Sequence, residues 1–286
     1  MKLTVGIPFF NPGSKFKDAI SSILQQSYRD FELILIDDGS TDGSLEFAKN
    51  IKDERVLVFS DGLNKGLPSR LNEIIDRANG CYIARMDADD VVSKYRFERQ
   101  IKILDESQDI DLVSTGICSI SEKYKINGVR YLSGKPKLND IELLTGRAGI
   151  CHASIICRKS WYKRNRYNEE TERTEDAELW FNAFKKNDLS IHRINEPIYF
   201  YREESSASYS NLKKSYISQL GLLKINFGTI NKPFSVNLAK LKLYLKLLII
   251  SILDKFKLLK LLINTRQKKI DSHLLIMLEN ELNEYK

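Results

Sequence analysis

The sequence predicts an α/β protein: a mainly parallel central sheet flanked by helices, followed by a helical, basic C-terminal region. Three observations carry that reading. The first 90 residues alternate between apolar, β-branched runs and segments of helical periodicity, and strand–helix–strand at this spacing implies right-handed βαβ crossovers and parallel strands. Acids stand where two of the apolar runs stop, at Asp37–Asp38 and at Asp87, Asp89 and Asp90, and ligands of such sheets bind outside the carboxyl ends of the strands. Charge is also segregated. Residues 211–286 hold 14 Lys or Arg against 5 Asp or Glu while the whole chain carries +7, so residues 1–210 are slightly acidic and the basic character belongs to the tail.

Taken in order, "LTVGIPFF" reads as a buried strand and "KFKDAISSILQQSY" as an amphipathic helix with Ile20, Ile23 and Leu24 on one face. "FELILIDD" is a second strand, after which Ser40 or Asp42 can cap a helix through "SLEFAKN". "RVLVFS" is a third strand, "PSRLNEIIDRAN" a helix and "CYIARMD" a fourth strand. Beyond residue 100 the pattern is mixed: a strand in "DIDLVSTGICSI", a short helix in "LNDIELLTG", a strand carrying His152 in "CHASIICRK", and a helix in "TEDAELWFNAFKKN" with Thr174 at its N-cap. "EPIYFYRE" closes the domain as a last strand. The expected division is a catalytic domain over 1–210, with a nucleotide-binding half (1–100) and an acceptor half (101–210), and a helical region over 211–286.

Composition excludes several classes. No helix-turn-helix, zinc-finger or RNP pattern appears and the basic charge is confined to the tail, so nucleic acid is not an expected partner. Four cysteines without CxxC spacing and three histidines build no zinc site and read as reduced thiols. The start, "MKLTVGIPFFNPGS", lacks the cleavage site of a signal peptide. A cytoplasmic protein is expected.

The acids define the chemistry. Neighbouring carboxylates repel and raise one another's pKa, so a cluster such as "DADD" either splays into water or meets a cation. Asp-x-Asp at a strand end suits Mg²⁺ or Mn²⁺ held by few protein oxygens and completed by substrate phosphates; an oxygen-only ligand set argues against zinc or copper. Taken alone, the same acids read equally as caps of the next helix.

Set side by side, "TVGIPFFN", "ELILIDDGSTDGS", "NKGLPSRLNEII", "CYIARMDADD", "CHASIICRKSW", "TEDAELWFN" and "EPIYFYR" resemble, in order and spacing, the landmarks of glycosyltransferase family 2 over roughly residues 1–205. The resemblance implies a GT-A fold and transfer of a sugar from a nucleotide diphosphate with inversion. It places the nucleobase at Asp38 with Asp37 beside it, with Pro8 and Asn11 shaping the loop beneath. It puts Asp87 on ribose or metal and Asp89 on the metal that bridges the phosphates, and it gives the base role to Asp176, with Glu175 supporting or binding acceptor. His152 is implied near diphosphate or acceptor, although a lone His on an apolar strand is commonly a core residue. Arg85, Arg96 and Arg99 could reach phosphate or pair with nearby acids. In many relatives an Arg directly precedes the Asn of the "NxG" segment; here Leu71 precedes Asn72 and Arg70 stands one place early, which departs from the pattern. Core packing is the expected fate of Trp161 and Trp180.

In the tail, "VNLAKLKLYLKLLIISILDKFKLLKLLIN" (236–264) reads as one apolar, cationic helix. Its longest uncharged run, 247–253, has seven residues, far short of the roughly 18 to 20 needed to span a bilayer. At about 100° per residue Lys242, Lys246, Lys257 and Lys260 fall within about 60° of one another, an arrangement suited to an anionic membrane surface. Packing against the catalytic domain or a second subunit is the alternative. The overall expectation is a metal-dependent, inverting glycosyltransferase, peripheral on the inner membrane face. It would use a UDP-sugar and extend a lipid-linked glycan for a surface polysaccharide such as O-antigen or capsule. The rivals are a nucleotidyltransferase, which would release pyrophosphate, and a non-catalytic sugar-nucleotide-binding recruitment protein, against which the intact "ED" argues.

Overall fold

Leu3–Phe9 (β1) and Phe31–Asp37 (β2) are mainly apolar runs covered on both faces, the pattern of central strands in a parallel sheet, and their buried polar residues Thr4 and Glu32 bond each other. The computed structural model describes residues 1–131, 138–203, 208–230, 232–259 and 270–285. Val56–Ser60 (β3) and Tyr82–Arg85 (β4) flank this pair, and β3, β2, β1 and β4 run parallel. The crossovers are Lys15–Leu24 (α1), Ser44–Lys49 (α2) and Leu67–Arg77 (α3). A Cβ on Gly6 would stand 2.4 Å from Ile74 Cγ2, so the bare glycine is what lets α3 lie against β1.

The remaining described strands are Val91–Val92 (β5), Leu112–Ile120 (β6), Ile126–Arg130 (β7), Ile156–Arg158 (β8) and Ile191–Arg202 (β9). They complete a sheet of order β3-β2-β1-β4-β8-β6-β9-β5, with β7 on β6. Here the sheet is mixed: β6 and β9 are parallel, while β8, β5 and β7 pair antiparallel. Residues 86–90 therefore carry the chain from the parallel half to the far edge of the sheet. Arg96–Glu106 (α4), Asp140–Leu144 (α5), Lys159–Arg164 (α6) and Glu175–Lys185 (α7) pack around this half.

Two local expectations are corrected. His152 lies in a single 3₁₀ turn, His152–Ser154, and the strand after it shrinks to three residues. The Ser154 N–H donates to Cys151 O (3.0 Å) and the Thr115 N–H to Ser154 Oγ (3.0 Å), so side-chain pairing replaces ladder pairing there. The helix expected over 236–264 runs over Pro233–Lys255 (α9). Lys257 adopts φ 57°, its N–H donating to Asp254 O (2.9 Å) and that of Leu258 to Leu253 O (2.7 Å), a Schellman closure that takes Lys257 off the helical face. Lys260 lies outside the described residues.

The helices after residue 208 join the core. Tyr209–Ile225 (α8) and α9 bury Tyr216, Leu222, Leu223, Val236, Ala239, Leu243 and Ile250 in the apolar cluster that holds Leu143, Trp161, Trp180 and Phe181. Ser272–Asn283 (α10) sets Leu278 and Leu282, with Tyr285 beyond it, against Val91, Cys118, Val129 and Phe200. The Tyr285 hydroxyl donates to Val92 O (3.1 Å), and the Lys94 N–H to Glu281 Oε1 (3.0 Å). Among the described residues no helix is long and apolar enough to cross a membrane. The four cysteines are free.

Candidate active site

The acids at the end of β2 hold loops. Asp37 accepts the Ser40 N–H (2.9 Å) and the Ser60 hydroxyl (2.9 Å), joining the end of β2 to β3. Asp38 accepts the N–H groups of Lys65 (2.7 Å) and Gly66 (3.1 Å) and the Arg70 Nε–H (2.9 Å). Asn11, at φ 48°, donates its N–H to Ser40 Oγ (3.1 Å) and accepts the Thr41 N–H (2.7 Å), so the loop after Pro8 is tied to the loop after Asp38. Arg70 is the hub: fully buried on α3, it also pairs with Asp61 (2.6 Å) and Glu73 (2.8 Å) and donates to Leu63 O (2.6 Å). Arg70, which stands one place early in the sequence pattern, thus puts its guanidinium on Asp38. No spacing rule reveals a partner 32 residues away.

The three carboxylates of "DADD" take three different environments. Asp90 is buried and accepts the Tyr199 hydroxyl (2.8 Å) and the Arg202 N–H (2.8 Å), fastening the turn to β9; burial, then the charges of Asp87 and Asp89, hold its pKa well above the usual carboxylate range. Asp87 faces the Arg85 guanidinium at 2.6 Å. Asp89 keeps its carboxylate free of hydrogen bonds to side chains among the described residues; burial, then Asp87, raise its pKa. The Arg202 guanidinium donates to the Asp89 carbonyl oxygen and lies 3.2 Å from Asp18.

One cavity of about 930 Å³ gathers the rest. It is lined by the Asn64–Pro68 backbone loop, by Arg85 and Asp87, by His152, and by Glu175 and Asp176 at the start of α7. Asp38 stands behind that loop through its bonds to Lys65 and Gly66, while Pro8, Asn11, Asp37 and Asp89 do not line the cavity. Thr174 holds the N-cap position without capping by its side chain. Before it, Arg173 adopts φ 72°, a left-handed conformation costing a non-glycine residue on the order of 1 kcal/mol. Burial, then the neighbouring Asp176, push Glu175 up to about 7; burial likewise raises Asp176, against the Ala177 N–H (2.8 Å) and the Arg85 charge.

His152 shares a 2.7 Å hydrogen bond between Nε2 and the Tyr167 hydroxyl, and burial followed by the Arg85 charge lowers its pKa well below the usual range, so it is neutral at pH 7. Tyr167 is in turn held by Asn72, which accepts its N–H (3.1 Å) and donates to its carbonyl (3.0 Å). Of the other arginines, Arg96 is buried and donates to Arg85 O (2.9 Å), and Arg99 pairs with Glu196. Trp161 and Trp180 are buried in the core.

The family model described as Glycosyl transferase family 2 matches residues 4–166. The chain belongs to glycosyltransferase family 2. It is 33% identical over 212 residues to the putative glycosyltransferase EpsE of Bacillus subtilis (strain 168), covering 72% of this chain and 74% of that one. The fold is similar to that of S. aureus TarS 1-349 in complex with UDP-GlcNAc (TM-score 0.62, 16% identity, 85% of this chain and 72% of that one). It is similar also to the mannosyltransferase PcManGT from Pyrobaculum calidifontis in complex with GDP-Man and Mn²⁺ (TM-score 0.61, 15% identity, 100% and 81%). The architecture is the GT-A fold.

For a family 2 glycosyltransferase the donor set fits a hard divalent cation. Asp87 and Asp89 offer oxygens only; burial, and after it the Asp87 charge, disfavour the Asp89 carboxylate, and a cation would offset both. Among the described residues no cluster of three or more His, Cys, Asp or Glu gathers there, so substrate phosphates and water would complete the shell.

Proposed function

We propose that this glycosyltransferase moves a sugar from a UDP-sugar to a hydroxyl of a lipid-linked glycan, with inversion, in the assembly of a surface polysaccharide. The observation that carries the reading is the single cavity in which the loop held by Asp38, the Arg85–Asp87 pair and the Glu175–Asp176 pair face a common space. The nucleoside rests against the Asn64–Pro68 loop, and Asp38, with Asp37, Pro8 and Asn11, fixes that cradle. Asp176 accepts the acceptor hydroxyl proton; the freed oxygen bonds to the anomeric carbon from the face opposite the diphosphate, whose carbon–oxygen bond breaks to release UDP. Arg85 stabilises charge on the departing diphosphate. Bound by Asp87 and Asp89, Mn²⁺ or Mg²⁺ would supply Lewis-acid neutralisation of the same charge. Glu175 and neutral His152 orient the acceptor.

The solved neighbours support a nucleotide-sugar donor, one being a complex with UDP-GlcNAc and the other with GDP-Man and Mn²⁺. The tail supports the lipid-linked acceptor. The outer face of α9 exposes Phe234, Leu241, Tyr244, Leu248 and Ile252 between lysines, a composition suited to an anionic membrane surface. Calorimetric titration of UDP with and without Mn²⁺ tests the site. Wild type should gain affinity with the ion and Asp89→Asn should not; an ion-independent wild type would remove Asp89 from the metal role.

A further inference from the structure

A second hollow lies behind the catalytic cavity. Between the turn after α5 and helix α9 is a groove of about 230 Å³, lined by the aliphatic Leu243, Leu245 and Ile249 and by the cationic Arg147, Lys242 and Lys246. Gly146 lines the catalytic cavity while its neighbours Thr145 and Arg147 line the groove. Consecutive Cα atoms are about 3.8 Å apart, so one turn of backbone separates the two spaces. That turn is fixed. Gly146 takes φ 63°, its N–H donates to Leu143 O (3.1 Å), and the Arg147 N–H donates to Glu142 O (2.7 Å), closing α5 in a Schellman motif that favours glycine.

We propose that this groove seats the phosphate and the adjoining apolar chain of a lipid-phosphate acceptor, so that the glycan passes over Gly146 towards Asp176. The proposal rests on the reading above that the acceptor is lipid-linked. Charge and polarity select this occupant. The lining combines aliphatic and cationic side chains, which suits an anionic head joined to a hydrocarbon and suits neither a free nucleotide nor an uncharged glycan. Among the described residues Arg147 and Lys242 form no ion pair, Arg147 using its Nε to bond Thr145 Oγ1 (3.0 Å). Lys246 lies over the Tyr216 ring at 5.3 Å. Arg147 and Lys242 also border an adjoining hollow of about 520 Å³, where acids are present: Glu142, and Asp140, which is 3.7 Å from Lys185. Leu245 and Ile249 are half exposed, so the groove opens on the same apolar face of α9 that would meet the bilayer.

The test is flotation of the full chain with phosphatidylcholine vesicles carrying a long-chain isoprenoid monophosphate, against vesicles of equal negative charge carrying phosphatidylglycerol. The wild type should prefer the isoprenoid phosphate by about tenfold or more. Arg147→Glu and Lys242→Glu should each abolish the preference and Lys242→Arg should keep it, with UDP affinity and thermal unfolding reporting that the fold is intact. Equal binding to both vesicle types would reduce the groove to general surface charge and overturn the proposal. So would variants that retain the preference, or a concentration-dependent dimer that excludes the lipid. Failure of the wild type to bind either vesicle type would instead strike the parent reading of a lipid-linked acceptor, so the two failures are distinguishable.

Discussion

Arg85 and Asp87 face each other at 2.6 Å within the cavity that Glu175 and Asp176 also line, and the Arg85 Nε is buried with no hydrogen-bond partner among the described residues. A buried guanidinium that keeps an unused donor beside Asp87 is a site prepared for added negative charge. Arg85→Lys keeps the charge and removes the planar fork. Its kcat should fall by about 10² to 10³, the range for losing one preorganised donor. Steady-state release of UDP from the donor measures this, and near-normal turnover would confine Arg85 to a structural role.

Arg70 supports the Asn64–Pro68 loop from behind, through Asp38 and Leu63 O. Three acids and a carbonyl surround its buried guanidinium, so Arg70→Ala leaves the buried Asp38 without its charged partner and should cost on the order of 3 kcal/mol or more. Urea unfolding reads that loss, and UDP should no longer stabilise the variant. A change under about 1 kcal/mol would be the surface-pair result and would contradict the burial.

The pH dependence of stability should carry the mark of Glu175. Its folded pKa of about 7 lies above its ordinary value of 4.5, so between these values the folded protein holds a proton that the unfolded chain releases. The unfolding free energy therefore falls as pH rises through that window, by on the order of 3 kcal/mol, and the contribution is fully present only below it. Glu175→Gln should flatten the pH 5 to 8 difference in metal-free urea titrations. An unaltered slope would mean that the carboxyl is solvated.

The C-terminal helix should act on the acid cluster by packing. Leu282 is fully buried against the cluster that contains Val91, the residue after Asp90. Leu282→Ala should destabilise by about 2 to 4 kcal/mol. Thermal unfolding indistinguishable from wild type would show α10 undocked in solution.

Much of the fold is legible because its signal is local. The parallel strands β1, β2, β3 and β4 announce themselves as short apolar runs alternating with amphipathic helices; "DDGSTD" and "DADD" follow the ends of β2 and β4, and "TED" opens α7. What is hidden is long-range. Asp90 is set apart from Asp87 and Asp89 by its burial and by the Tyr199 hydroxyl and the Arg202 N–H, which reach its carboxylate from more than 100 residues away. Asn72 bonds Tyr167 across 95 residues. The tail's net basicity conceals α10, whose docking surface on β5 and β6 lies far upstream, and β7, "INGVR", is too short and polar to give an alternating pattern.

The central claim is that Asp176 is the base of a sugar transfer from UDP. It is tested most directly by comparing UDP affinity and UDP release in the wild type and Asp176→Asn across a panel of UDP-sugars with Mn²⁺ and acceptor. The substitution keeps the shape and removes the proton acceptor, so donor affinity should be unchanged while turnover falls by about 10² to 10⁴. Near-normal turnover in Asp176→Asn would contradict the account and leave Asp176 as an acid that only favours the start of α7.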